Sequence, residues 1–362
     1  MPHRTFPLLE TDRVQSSHAL PSRRAFLTGL VGAAALGVAG CADSASGVQL
    51  AAAAPLPTAA SPDTELVVSI HPTQVALQAA GTIGKLPFKV KSWPNISAGP
   101  DVIQGFRAHS IDLASNAGIP PIQARAINVD AKIVAVQTRN TPIYVFATAP
   151  GAPVSGLGDL RGKKIGFSQG QAQGLVVLRT LKEQGLTPKD VQLVTLSSTQ
   201  FLVALQSKQI DVAPLAEPSL TKYLDEYGKD GAKAIPITAV DYLTILWAPG
   251  EVLADSAKAA AIRAFIPFWA QSKVWAYENP NPWIDAYYVK DQGVTTAAGR
   301  RIVGAERKPV FPRNWDKALA WEQESADLLV EGGFIKSIKA ADLFDRRFET
   351  IAADSVPAAS RE

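Results

Sequence analysis

The chain has 362 residues, 47% hydrophobic and 19% charged, a composition that suits a globular protein of about two domains and excludes a disordered or fibrous one. Lys and Arg number 36 against 33 Asp and Glu, with no block of like charge, which excludes nucleic acid as a partner. One Cys and four His support neither a disulfide framework nor a Cys/His zinc site, and no metal is expected.

The N-terminus reads as an export address. Ser22-Arg23-Arg24-Ala25-Phe26-Leu27 precedes an uncharged Gly/Ala/Leu/Val run from Thr28 to Gly40, and Val38-Ala39-Gly40-Cys41 closes it. A basic region, an apolar stretch and a small-residue cleavage site make a secretory signal, and the paired arginines resemble the twin-arginine export signal. The ending resembles the bacterial lipoprotein box, in which the Cys takes lipid and becomes the first mature residue. A retained membrane helix would need about 20 apolar residues, more than this run supplies. Removing residues 1–40 leaves 32 basic against 31 acidic side chains. Residues 41–63, rich in Ala, Ser and Pro, read as a flexible tether from a lipid at Cys41 to the folded part.

From Glu65 onward, short β-branched runs alternate with helical stretches, the pattern of parallel strands covered by helices. Leu66–Ile70 is a buried strand, and Thr73 suits the N-cap of the helix that follows. Phe88–Trp93 is a strand, Pro100–Ala108 a helix, and Ile111–Ala114, Lys132–Val136 and Ile143–Ala147 are strands. A second block opens with the strand at Gly162–Phe167, followed by a helix at Ala172–Gln184 that Gly185 and Pro188 stop. A strand at Val191–Leu196, a helix at Ser198–Ser207 and a strand at Ile210–Ala213 complete it.

Phe106–Ala114 and Leu205–Ala213 are an internal repeat: a helix end, a tight turn and a strand carrying Ile-Asp, each leading to a Pro-containing loop. Two blocks of one design imply an α/β protein of two lobes. Ile143–Ala147 and Tyr242–Ala248 are expected to be the strands on which the chain crosses between them, giving 64–145 plus 246–350 as the first lobe and 146–245 as the second. Beyond Ser256 the chain is helical, with Ala257–Tyr277 interrupted at Pro267 and Trp315–Glu331 closed by Gly332-Gly333. The tryptophans in this part suit core packing.

In open α/β sheets, ligands sit beyond the carboxyl ends of the strands, at helix N-termini. That rule selects His71–Gln74, Ser115-Asn116-Ala117, Thr138-Arg139-Asn140, Ser168–Gln171 and Leu215-Ala216-Glu217. Bland roles compete at each: Thr73 and Ser168 as plain N-caps, His71 as a solvated loop residue, Arg139 as a surface ion pair. Arg139 is the sharpest candidate, because a lone guanidinium at a strand end suits an oxyanion. No Gly-x-Ser-x-Gly, Gly-x-x-x-x-Gly-Lys-Ser/Thr, His-Glu-x-x-His or Gly-x-Gly-x-x-Gly motif is present in the required context, so neither catalysis nor a cofactor is supported.

Ala98-Gly99-Pro100, Ser110-Ile111-Asp112-Leu113 with Pro120-Pro121, Asp159–Ile165, Ile210-Asp211-Val212 with Glu217-Pro218, and Ala326–Leu329 with Gly333-Phe334-Ile335 together resemble the aliphatic-sulfonate-binding proteins of ABC importers. The similarity runs from about Leu66 to Phe348. It implies a two-lobed periplasmic-binding-protein (type II) fold and a monomer that captures a small organic anion, by preference a sulfonate. The ligand would pass to an ABC permease and its ATPase at the outer face of a membrane. The contacts implied are His71, Gln74, Ser115, Asn116, Thr138, Arg139, Ser168, Gly170, Gln171, Glu217 and Trp247. Asn116-Ala117-Gly118, Gln171 and Ala216 depart from the family pattern at these loops. The alternative on the same fold is a protein that binds a thiamine pyrimidine precursor, or a synthase that uses pyridoxal phosphate with His71.

Overall fold

The computed structural model describes residues 48–362; the export signal and Cys41 lie outside the described residues. Strand β1 (Glu65–Ser69) buries Leu66 and Val68 completely and runs directly into α1 (His71–Ala79). Pro72, with its φ preset for a first helical turn, starts α1 before Thr73. Thr73 is therefore a buried residue inside the helix and not its cap. After β2 (Lys89–Ser92) and α2 (Gly99–Arg107), β3 (Leu113–Ala117) takes in Ser115, Asn116 and Ala117, which the sequence places in a loop. Pro120 and Pro121 open α3 (Ile119–Ala126) instead of forming a loop, since first-turn amides have no intrahelical acceptor to lose. Strand β4 (Ala131–Thr138) completes this block.

The second block repeats the design. It contains β5 (Tyr144–Thr148), β6 (Lys164–Phe167), α4 (Ala172–Glu183), β7 (Gln192–Thr195), α5 (Phe201–Gln206), β8 (Val212–Ala216), α6 (Ser219–Tyr227) and β9 (Ala234–Pro236). Strand β10 (Leu243–Pro249) follows, then α7 (Gly250–Ala254), α8 (Ser256–Glu278), α9 (Pro280–Trp283), a π-helical segment Ile284–Asp291, α10 (Thr296–Ala305) and α11 (Asp316–Glu331). Helix α8 continues through Pro267: Ile262, Phe265, Ile266 and Trp269, all buried on either side, hold it together despite the missing amide.

Two five-stranded sheets result, ordered β2-β1-β3-β10-β4 and β7-β6-β8-β5-β9, each with its fourth strand antiparallel to both neighbours. Strands β5 and β10 thus belong each to a sheet, and the chain crosses just ahead of them, at 139–143 and 237–242. Pairing with these antiparallel strands also extends β3 and β8, because Ile245 opposes Asn116 and Tyr144 opposes Ala216.

The sequence repeat is a repeat of bonding. His109 (φ 51°) and Lys208 (φ 58°) make the same left-handed turn. The Asp three residues on then accepts the amide of the neighbouring strand: Asp112 Oδ2 from Val67 at 2.7 Å, Asp211 Oδ2 from Lys164 at 2.8 Å.

Residues 48–56 correct the expectation of a free tether. Leu50 donates its amide to the Ala254 carbonyl at 2.6 Å, and the Val48 carbonyl accepts from Ser256 at 3.1 Å. The Arg347 guanidinium donates to the Ala54 carbonyl at 3.0 Å, and Leu56 packs on the core. Backbone groups bound in this way pin a segment whose side chains offer little burial.

Asp112 also accepts Lys258 Nζ at 2.8 Å, so it braces a strand and a helix whereas Asp211 braces a strand alone. Asp112→Ala is expected to cost about 2 kcal/mol and Asp211→Ala about 1 kcal/mol in urea unfolding, since charge-assisted hydrogen bonds contribute more than neutral ones. Equal costs would contradict the double brace.

Candidate functional site

The carboxyl ends of the parallel strands of both sheets meet at one junction, and the lobes are pressed together there. A Cβ on Gly99 would stand 2.8 Å from the Gly170 carbonyl oxygen and 2.5 Å from Pro120, so only glycine permits this approach of α2 to the loop after β6. Gln123 donates across the junction to the Gln169 carbonyl at 3.2 Å, and Gln169 donates to that of Phe334 at 2.9 Å. At the far edge Arg301 of α10 binds Glu217 at 3.0 Å.

Many of the residues expected at the ligand are engaged with the protein itself. His71 Nε2 is bonded to Asp291 at 2.7 Å. Asn116 donates to the Ser97 carbonyl at 2.8 Å and accepts the Trp247 indole N–H at 2.8 Å; Trp247 is fully buried against Phe106 and forms no open wall. Ser168 donates to Gln171, whose carbonyl also accepts the Ser198 amide at 2.9 Å, so this pair is buried and the cap it makes is internal. Gly170 is buried against α2. Glu217 caps α6 by accepting from the Thr221 amide and hydroxyl, besides its ion pair with Arg301. Thr138 is buried in β4, with its amide donated to the Val310 carbonyl. Gln74 and Ser115 are half-buried.

Arg139 is the expected residue that stands with a set the sequence did not single out. Beside it, between α1, α8 and the segment after α10, lies a cavity of about 180 Å³ lined by Thr73, Gln137, Ser272, Lys273, Glu306 and Arg307. Thr73 is 1% exposed and its hydroxyl has no partner, nor has the buried Oε1 of Gln137. Neither Lys273 nor Arg307 joins an ion pair among the described residues. Burial and then the Arg139 charge bring the Lys273 ammonium down to about 8, with Glu306 opposing. Glu306 accepts the Tyr288 hydroxyl at 2.7 Å, and burial raises its carboxyl. The first-turn amides of α1 add a positive dipole end next to Thr73. Lys273 and Glu306 come from the helical C-terminal part, where no strand-end rule applies; their signal is a charge interrupting the apolar run of α8 and one just beyond α10.

Behind the cavity a second polar group spans the crossings. Arg139 donates to the Thr244 hydroxyl, and its charge acts on Asp241 in the other crossing segment and on Tyr144. Burial raises Asp241 to about 6 against the pull of Arg139 and Arg179. On α11, Glu322 is fully buried with both carboxyl oxygens unpartnered, and burial followed by the Asp241 charge raises it to about 8. Its Oε1 occupies the space of a side chain at Gly118, 1.6 Å from where a Cβ would stand, so Gly118 is required by Glu322. Arg179 of α4 stacks on Trp321 at 3.7 Å.

Two sheets of matched order joined by two crossings define the periplasmic-binding-protein fold. The chain belongs to the NMT1/THI5-like family, whose model matches residues 96–281. Among curated proteins it is similar to the putative aliphatic sulfonates-binding protein of Escherichia coli (strain K12), 31% identical over 144 residues, 39% of this chain; the match spans less than half of that relative, 45%. The crystal structure of the periplasmic aliphatic sulphonate binding protein SsuA from Escherichia coli superposes with a TM-score of 0.63 at 20% identity, over 77% of this chain and 91% of that one. The alkanesulfonate-binding protein SsuA from Xanthomonas axonopodis pv. citri, bound to MOPS, gives 0.66 at 18% identity over 85% and 100%. At such identities these likenesses establish the fold.

Both raised carboxyls gain stability from being neutral in the folded chain. Their contribution is complete below the ordinary values of 3.8 for Asp and 4.5 for Glu and is lost as pH rises through about 6 and about 8. Melting temperature is therefore expected to fall between about pH 5 and pH 8, and Glu322→Gln to flatten most of that slope. An unchanged slope in the variant would show that Glu322 ionises freely.

Proposed function

We propose that this chain is the extracytoplasmic solute-binding lipoprotein of an ABC importer, which captures a small organic anion between its lobes and delivers it to a permease driven by an ATPase. An aliphatic sulfonate is the preferred class. The observation that carries this reading is the cavity in the first lobe, where Lys273 and Arg307 join no ion pair among the described residues and stand beside the unpartnered Thr73 hydroxyl and the start of α1. A lysine and an arginine outside any ion pair, next to a helix N-terminus, make a site for an anionic head group. Family membership and the sulfonate-binding relatives support it. In this reading residues 1–40 are removed on export, Cys41 carries the lipid, and the crossings at 139–143 and 237–242 are the hinge on which the lobes open. The synthase alternative would rely on His71, which Asp291 already holds.

Calorimetry of the full chain with ethane- to butanesulfonate is expected to show heat of binding, and Lys273→Met to weaken it at least tenfold, about 1.4 kcal/mol. No heat with any sulfonate, but heat with a neutral pyrimidine, would overturn the ligand class while leaving the fold as described.

A further inference from the structure

A groove of about 800 Å³ runs between the C-terminal end of α3, the loop after β6 and the segment that leaves α11, and it shares no lining residue with the cavity already described. Its floor is drawn from both lobes. Gln169 donates to the Phe334 carbonyl at 2.9 Å, and the Phe334 ring lies 4.8 Å from that of Phe167 in β6. Ile127, at the end of α3, is 49% exposed, and Ile335 and Ile338 line the same groove half-buried. One exposed isoleucine is ordinary on a protein surface. Here it shares a groove with a stretch of backbone that is itself unpaired.

From Ile335 to Lys339 the chain forms neither helix nor strand, and none of these amides donates to an acceptor among the described residues. The segment is nevertheless fixed at both ends: the Phe334 amide donates to the Leu329 carbonyl at 2.9 Å and the Ala340 amide to Gln323 at 2.9 Å. At Lys339 φ is −98° and ψ 115°, within the extended range. A held row of open main-chain groups is the template on which an extended peptide adds as a strand. Charge then selects the peptide. Lys336 and Lys339 are exposed and join no ion pair among the described residues, whereas Arg125 and Asp342 neutralise each other at 3.1 Å. The free charge is thus positive, on the same segment whose amides are open.

We infer that this groove docks an extended acidic segment of a partner protein, which adds as a strand along Ile335–Lys339, with apolar side chains against Ile127 and Ile338 and carboxylates at Lys336 and Lys339. The inference goes beyond solute capture and does not depend on which ligand the cavity takes. Main-chain hydrogen bonds supply the affinity of such an addition, and the side chains around the groove supply its selectivity. A basic segment would meet two ammonium groups of its own sign, and like charges set face to face at an interface cost more than an exposed ion pair contributes.

The probes are two fluorescein-labelled octapeptides, one alternating Glu with Val and the other Lys with Val, titrated into the full chain and followed by fluorescence anisotropy. The acidic peptide is expected to bind saturably and the basic one not to bind. Lys336→Glu combined with Lys339→Glu is expected to weaken the acidic peptide about tenfold or more, and Lys229→Glu, at an exposed lysine after α6, to leave it unchanged. Hydrogen exchange read by mass spectrometry gives a second readout: amides 335–339 are expected to slow about tenfold or more when the acidic peptide supplies their acceptors. No saturable binding of the acidic peptide, or equal binding of both, would overturn the inference. An equal loss in Lys229→Glu would also overturn it, as would binding that leaves exchange over 335–339 unchanged. Amides 335–339 already slow in the chain alone would overturn it too, assigning the groove to a second copy if the slowing rises with protein concentration and to a segment of this chain outside the described residues if it does not.

Discussion

Arg139 and Asp241 stand in the two short segments by which the chain passes from one sheet to the other, and the Arg139 charge acts on the buried Asp241 carboxyl. Asp241 is 3% exposed, and burial alone would keep its carboxyl neutral; the guanidiniums of Arg139 and Arg179 pull it back toward ionisation. The Arg139 charge also acts on Lys273 and on Glu306 at the cavity. The crossing, the cavity and the α4–α11 contact therefore share one electrostatic environment. A change in ionisation at any of these groups is felt by the rest, because low-dielectric surroundings screen such charges weakly.

The near-neutral charge of the whole molecule bears on this arrangement. An anion bound by a protein with no strong overall field is held by donors at contact range and is not gathered from a distance. Here these are one ammonium, one guanidinium, one hydroxyl and the end of a nine-residue helix, all converging on one small space. Glu306 lies in the same lining and opposes the lowering of Lys273.

What the sequence revealed and what it hid follow one physical division. Elements fixed by local pattern were legible: the strand at Leu66–Val68, the helix ended by Gly185 and Pro188, and above all the Ile-Asp repeat, whose chemistry is a carboxylate accepting the next strand's amide. Elements fixed by partners distant in sequence were not. Strands β3 and β8 extend into supposed loops because antiparallel neighbours from the other end of the chain pair with them, and Ser115, Asn116 and Ala216 thereby become strand residues. The site divides in the same way. Arg139, next to a strand end, could be found by rule, whereas Lys273 and Glu306 reach the cavity only after α8 and the segment beyond α10 fold back over α1. Gln137 was hidden for a further reason: it is the ordinary polar member of an alternating strand, and only its missing partner distinguishes it.

The docked segment at residues 48–56 fixes where the chain enters the folded body. It is clasped by α7 and α8 where they follow β10, and β10 runs opposite to β1 and β3, so the entry lies at the edge of the first sheet away from the carboxyl ends of those strands. The strand ends, and the loops that follow them, are thereby left clear of the incoming chain. Entry and strand ends occupy opposite edges of one sheet, so a change at either edge can be made without crowding the other.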